Sequence, residues 1–95
     1  MSANKIRAIS AYLSERFPNA EIDEKADFDR GAQSFKVHLP SRTLLLKVSN
    51  EFIEDNHAPE ILHRFNLLSL AEVLGKDASV GILVSQRGLE TFARN

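Results

Sequence analysis

Apolar and polar residues alternate through three consecutive stretches of the chain, at residues 20–29, 33–39 and 42–49. This period of two is typical of strands that bury one face. Gly31-Ala32 and Pro40-Ser41 separate the stretches, and each pair suits a two-residue hairpin turn. Glycine tolerates positive φ, and proline fixes φ near the value that a type I turn needs. The pattern therefore predicts a three-stranded antiparallel meander.

The two turns also predict how the strands pair. The first turn sets Phe28 opposite Phe35. The second sets Phe35 opposite Leu46 and Val37 opposite Leu44. All of these side chains then share one face, and a one-residue slip in either hairpin would turn an apolar set to the other face. Because two independent turns select the same buried face, their agreement favours this arrangement.

Apolar residues recur at helical spacing before and after the meander. Residues 4–17 predict an amphipathic helix that Pro18 ends, because the residue before a proline is pushed out of the helical region. Residues 49–55 predict a short helical turn. A second long helix is predicted over residues 59–75, where a proline suits the first helical position.

The second long helix is unusually apolar. Its apolar residues are Ile61, Leu62, Phe65, Leu67, Leu68, Leu70, Ala71, Val73 and Leu74. Together they span more than the ~100° stripe that one buried face requires. Either the helix is covered on two sides within the monomer, or part of it meets a partner.

Residues 78–85 predict a fourth strand, and residues 86–95 predict a helical tail because Leu89, Phe92 and Ala93 have helical spacing. A right-handed crossover makes the fourth strand parallel to the third, either beside it or beyond the first strand. The chain is therefore predicted to be an α+β two-layer sandwich of order α-β-β-β-α-β. It has a three-stranded meander, a fourth strand after the second helix, and both helices on one face.

Composition adds few constraints. With 95 residues, 43% of them hydrophobic and 26% charged, the chain has the balance of one ordinary globular domain, residues 1–95. It has no cysteine, so neither a disulfide framework nor a thiolate metal site is expected, which fits a reducing compartment. No stretch reaches the ~18 apolar residues of a membrane span. A cytoplasmic protein without membrane contact is predicted.

Residues that could support catalysis or metal binding are scattered. Glu60 and His63 have the Glu-x-x-His spacing of di-iron bundles, but those sites need two such pairs. No metal or cofactor is therefore predicted, and no nucleophile or phosphate-binding motif supports catalysis. One alternative is a small-ligand-binding protein or enzyme with Glu24, His57 or His63 at a pocket. Glu24 would be its best carboxylate if buried, since it is predicted to point inward.

Nucleic-acid binding is the other alternative. The order helix, three-stranded meander, helix is also that of double-stranded RNA-binding domains, which need cations at the start of the second helix. Here that helix opens with Ala58-Pro59-Glu60, and the net charge of −1 lacks the basic character of a dedicated binder. A nucleic-acid-associated regulator would use Lys36, Arg42 and Lys47.

The leading hypothesis is a small non-enzymatic protein-interaction module. The apolar excess of the second helix predicts that it self-associates as a homodimer or binds another protein. The residues expected to form the contact are Leu67, Leu70 and Leu74, with Leu45 or Phe92.

Overall fold

The computed structural model describes residues 3–94, which form four helices and five strands. These are α1 (Ala3–Arg16), β1 (Glu21–Asp27), β2 (Ala32–His38), β3 (Thr43–Ser49), α2 (Asn50–Asp55), α3 (Ala58–Leu67), α4 (Leu70–Lys76), β4 (Val80–Ser85) and β5 (Gly88–Ala93). The strands form one sheet in the order β1-β2-β3-β4-β5. Neighbouring strands are antiparallel except β3 and β4, which are parallel.

The predicted α+β architecture is confirmed. Alternate residues of β2, β3 and β4 form one core together with buried residues of the helices. The helices lie on one face of the sheet. The largest buried side chains include Phe35, Leu44, Leu46 and Ile82 from the sheet and Ile9, Leu13, Phe52, Ile61, Phe65, Leu70 and Leu74 from the helices. The crossover through α2, α3 and α4 places β4 beside β3, which decides between the two edges that the sequence left open.

The predicted register of the second hairpin is confirmed. Val37 lies opposite Leu44 and Phe35 opposite Leu46. The Leu39 N–H donates to the Arg42 carbonyl at 2.8 Å, which closes the loop around the two residues between them. Proline at the first loop position holds the φ that this tight turn requires.

The predicted register of the first hairpin is wrong by four residues. Glu24, and not Phe28, lies opposite Phe35. The connection is a four-residue turn, in which the Arg30 N–H donates to both the carbonyl and the Oδ1 of Asp27 at 3.3 Å. Gly31 ends the turn with φ +59°. Because the shift is an even number, the apolar face is unchanged, but Phe28 lies in the turn with 86% of its surface exposed.

The second long helix is not continuous, contrary to the sequence prediction. It breaks between α3 and α4 at Ser69, whose φ is +54°. In an unbroken helix, Leu70 would point about 140° away from Phe65. The break turns Leu70 and Leu74 back to the core, so the broad apolar surface belongs to two short amphipathic helices. No described helix combines the length and apolar character that crossing a membrane requires.

The predicted helical tail forms a strand over Gly88–Ala93 instead, and Asn95, its last residue, lies outside the described residues. β5 pairs with β4 through a hairpin in which Ser85 lies opposite Gly88. Leu89 lies opposite Val84 and packs against the core, whereas Phe92 lies opposite Gly81. The spacing of three between Leu89 and Phe92 therefore places them on opposite faces of a strand.

Candidate functional site

The sheet has a second face, opposite the helices, which we call the open face. By alternation and register, its side chains include Asp23, Lys25 and Asp27 from β1, Ser34, Lys36 and His38 from β2, Thr43, Leu45 and Lys47 from β3, Leu83 from β4, and Glu90 and Phe92 from β5. Leu45, Leu83 and Phe92 are each half-buried. The open face therefore carries an apolar strip among charged residues.

Phe92 covers a backbone position that only glycine permits. A Cβ atom added at Gly81 would lie 2.2 Å from Cζ of the Phe92 ring. Real Cβ contacts are not that short, so the Phe92 ring can pack there only because Gly81 has no side chain. The Lys47 ammonium and the Arg30 guanidinium each lie 5.8 Å from the ring centroid, within the range of cation–π attraction.

A cavity of about 250 Å³ lies on the open face, and its lining is Arg30, Lys47, Leu83, Glu90, Thr91 and Phe92. Arg30 belongs to the turn after β1. The Gly31 carbonyl in this turn accepts the Asn50 N–H at 2.9 Å, so the turn lies beside the end of β3. From there the Arg30 side chain reaches Phe92 on β5.

Lys47 and Asp27 form an ion pair across the open face. Their side chains are only 16% and 19% exposed. The hydrogen bond from Lys47 is the main reason that the pKa of Asp27 lies below its usual value, and the Lys47 charge and the Arg30 N–H lower that pKa further. A second cavity, of about 370 Å³, lies beside this pair and is lined by Lys25, Ala26, Asp27, Phe28, Asp29, Ser34 and Lys47.

His38 joins two strands at the far end of the open face. Its Nε2 lies 2.7 Å from Oδ2 of Asp23, and its Nδ1 lies 3.2 Å from Oγ1 of Thr43. The observed register of β1 brings Asp23 within reach. The imidazole therefore links β1 to β3 across β2.

The residues of the nucleic-acid alternative do not form one patch. Lys36 and Lys47 lie on the open face, but Lys47 is paired with Asp27. Arg42 lies toward the helices, where its Nη2 is 3.9 Å from the position that a Cβ of Gly75 would occupy. A phosphate backbone on the open face would therefore not meet all three cations together.

The residues of the pocket alternative are also separate. Glu24 is exposed and accepts a hydrogen bond from the Ser10 hydroxyl at 2.9 Å. Glu60 accepts the backbone N–H of His57 at 2.8 Å, so its carboxylate caps α3. Glu60 and His63 together line a different surface cavity of about 290 Å³, whose lining includes neither Glu24 nor His57. Within residues 3–94, no group of three or more histidine, cysteine or acidic side chains is arranged to hold a metal ion.

The residues of the interaction hypothesis are divided between the core and two surfaces. The expected exposure of Leu70 and Leu74 is wrong, since both are at most 1% exposed because the helix break directs them inward. Leu67 is 67% exposed on α3. Leu45 and Phe92 lie on the open face.

Sequence reasoning missed three residues that complete this site, namely Arg30, Leu83 and Glu90. The sequence did mark Leu83, because it is an apolar residue at a position of the fourth strand that alternation places on the face away from the core. Arg30 and Glu90 had no such signal, because their proximity depends on the observed turn after β1 and on the pairing of β5 with β4. Comparison of the chain with protein-family models, with curated proteins and with solved structures finds no match. The geometry of the open face is therefore the basis for a functional argument.

Proposed function

We propose that this chain is a small non-enzymatic protein-interaction module that binds a partner on the open face of its sheet. The observation that carries the proposal is the apolar strip Leu45, Leu83 and Phe92, which the helices leave uncovered. The same strands place their other apolar residues in the core. Half-buried apolar side chains with a polar rim are typical of surfaces that bind other proteins.

The lining of the smaller cavity supports a partner of particular chemistry. Leu83 and Phe92 suit an apolar side chain, and the Arg30 guanidinium at the rim suits a carboxylate. Lys47 adds less positive potential because Asp27 neutralises it. The proposed partner is therefore a protein segment in which an acidic residue adjoins an apolar one.

Mixed charge favours protein over nucleic acid as the occupant. Lys25 and Lys36 on the open face are accompanied by Asp23 and Glu90, whose carboxylates would repel a phosphate backbone. The absence of cysteine is consistent with a reducing compartment, so a cytoplasmic site of action is proposed as well.

The test is affinity capture from native lysate, in which the protein is immobilised as bait. One half of each sample is treated with nuclease. The wild type is compared with a Leu45→Ser/Leu83→Ser variant, which removes apolar surface from the open face only. We expect a protein that the wild type retains in both halves and that the variant loses. Near- and far-ultraviolet circular dichroism would establish that the variant is folded.

Leu67→Ser is the matched control, since it removes an exposed leucine from α3 and leaves the open face intact. It should retain the partner. Loss of the partner with Leu67→Ser alone would overturn the proposal in favour of a contact through α3. Material that disappears with nuclease, and that charge reversal of Lys36, Arg42 and Lys47 abolishes, would overturn it in favour of the nucleic-acid alternative. The proposal would also be contradicted if every captured protein were retained equally by the wild type and by both variants.

A further inference from the structure

The two edges of the sheet differ in how they deter another strand. β1 carries four carboxylates and one lysine among seven residues, at Glu21, Asp23, Glu24, Lys25 and Asp27. β5 carries one charge among six residues, at Glu90. Charged side chains on an edge strand discourage the addition of further strands. The β1 edge is therefore protected, and the β5 edge is not.

The hairpin geometry tells which backbone groups of β5 are available. Ser85 and Gly88 flank a two-residue loop and so form the hydrogen-bonded pair that closes it. Hydrogen-bonded and non-hydrogen-bonded pairs alternate along an antiparallel ladder. Leu89, Thr91 and Ala93 therefore direct their N–H and C=O groups away from β4, toward the open edge.

We propose that two copies of this chain pair through their β5 edges, antiparallel, about a two-fold axis at Thr91. In this register Thr91 lies opposite the second copy's Thr91, and Leu89 lies opposite the second copy's Ala93. All three residues that direct backbone groups outward are then paired. The result is one continuous sheet of ten strands, five from each copy, with the helices of both copies on the same side.

Charge disfavours the neighbouring register in which the axis lies at Glu90. An axis at Glu90 would place the two Glu90 carboxylates directly opposite each other, which is unfavourable. The axis at Thr91 places Glu90 opposite the second copy's Phe92. This register therefore keeps the two Glu90 carboxylates two residues apart along the strands.

The same asymmetry ends assembly at the dimer. Addition of β5 to the β1 edge of another copy would leave a free edge at each end and would propagate into filaments. The charges of β1 oppose that contact. Pairing of β5 with β5 uses the unprotected edge of each copy and closes. This inference is independent of the proposed open-face partner, since strand addition at an edge leaves both faces accessible.

Cysteine crosslinking tests the register directly, because the chain has no cysteine of its own. Across the proposed axis, the two Thr91 Cα atoms would be about 5.5 Å apart, which lies within disulfide range. Thr91→Cys should therefore form a disulfide-linked dimer under mild oxidation. Ala93→Cys is the matched control, because its two copies would be separated by four residues along the strand, about 13 Å.

A mixture of Leu89→Cys and Ala93→Cys proteins should crosslink as a heterodimer, which fixes the register independently. Equal crosslinking of the Thr91→Cys and Ala93→Cys proteins would overturn the proposal. So would a wild-type protein that sediments as a monomer at every concentration up to the millimolar range.

Thr91→Lys gives a second test that does not depend on crosslinking. At the axis, the introduced lysines of the two copies would lie directly opposite each other. Within the monomer, position 91 is exposed on an edge strand and tolerates a lysine. We expect loss of the dimer in sedimentation velocity with an unchanged circular dichroism spectrum. Leu45→Ser/Leu83→Ser, which should lose the lysate partner, should remain dimeric. The two proposals can therefore fail separately.

Discussion

Leu45 and Leu46 are neighbours on β3 but face opposite sides of the sheet. Leu46 is fully buried beneath the helices, whereas Leu45 is half-buried on the open face beside Lys36. The contrast holds for the whole sheet. The helix-covered face carries the buried apolar residues of β2, β3 and β4, and the open face mixes an apolar strip with charged residues and the Lys47–Asp27 ion pair. One face stabilises the fold, and the other is the surface on which we propose that a partner binds.

The largest effect that separates the two faces is expected from Leu46→Ala. We expect it to reduce the free energy of unfolding by about 2–5 kcal/mol, since it removes a fully buried side chain and leaves a cavity. Leu45→Ala should cost about 1 kcal/mol or less, because half of that side chain already contacts water. Urea denaturation of both variants under the same conditions measures the difference.

Equal losses for the two variants would contradict this division of the sheet. A large loss with Leu45→Ala would mean that the open face is covered, by a second copy or by another segment. Measurement of both variants at two protein concentrations separates these cases, because coverage by a second copy depends on concentration.

The sequence predicted the two faces more reliably than the pairing of the strands. Alternation alone assigns side chains to faces, and an error of four residues in the first hairpin leaves that assignment intact. The error arose because Gly31 suits positive φ either within a two-residue turn or at the end of a four-residue one. Pro40 permits fewer loops, and the second hairpin was predicted correctly.

Long-range packing explains the other differences from prediction. The interval of five residues between Phe65 and Leu70 is incompatible with one buried helix face. The break occurs at a serine, Ser69, and not at a glycine or proline that would have marked it in the sequence. The tail has helical spacing, but β4 offers it a partner strand. Leu45 and Phe92 could be chosen from the sequence because both are apolar, whereas Arg30 and Glu90 join them only through the observed turn after β1 and the pairing of β5 with β4.

Gly81→Ala tests the seat of Phe92 on the open face. The added methyl group would collide with the ring, and we expect a loss of about 1–3 kcal/mol in the free energy of unfolding. In a Phe92→Ala background the collision is absent, and alanine in place of glycine should be neutral or stabilising by about 0.5–1 kcal/mol. A double-mutant cycle by urea denaturation measures this coupling. Additive effects would show that the ring does not occupy the Gly81 position.

A smaller effect is expected from the pH dependence of the Lys47–Asp27 pair. The pKa of Asp27 is lower in the folded chain than its ordinary value, chiefly because of the hydrogen bond from Lys47. Its contribution to stability is therefore present above the unfolded-state pKa, which is about 3.9 for aspartate, and is lost as the pH falls through the lower folded value.

Urea midpoints measured from pH 7 to pH 3 should thus decrease more steeply for the wild type than for Asp27→Asn. Asp29→Asn, which removes a nearby carboxylate in the turn, is the control and should follow the wild type. Parallel curves for the wild type and Asp27→Asn would indicate that the pair is not formed in solution.

The smallest effect is expected from Phe28→Ser. Phe28 is 86% exposed in the turn after β1 and belongs to neither face, so the free energy of unfolding should change by no more than about 0.5 kcal/mol. The register predicted from the sequence gives a different result, because it buries Phe28 opposite Phe35, where removal of the ring would cost about 3–5 kcal/mol. A single urea titration therefore distinguishes the two registers. A large loss would restore the two-residue turn at Gly31-Ala32 and would remove Arg30 from the cavity on the open face.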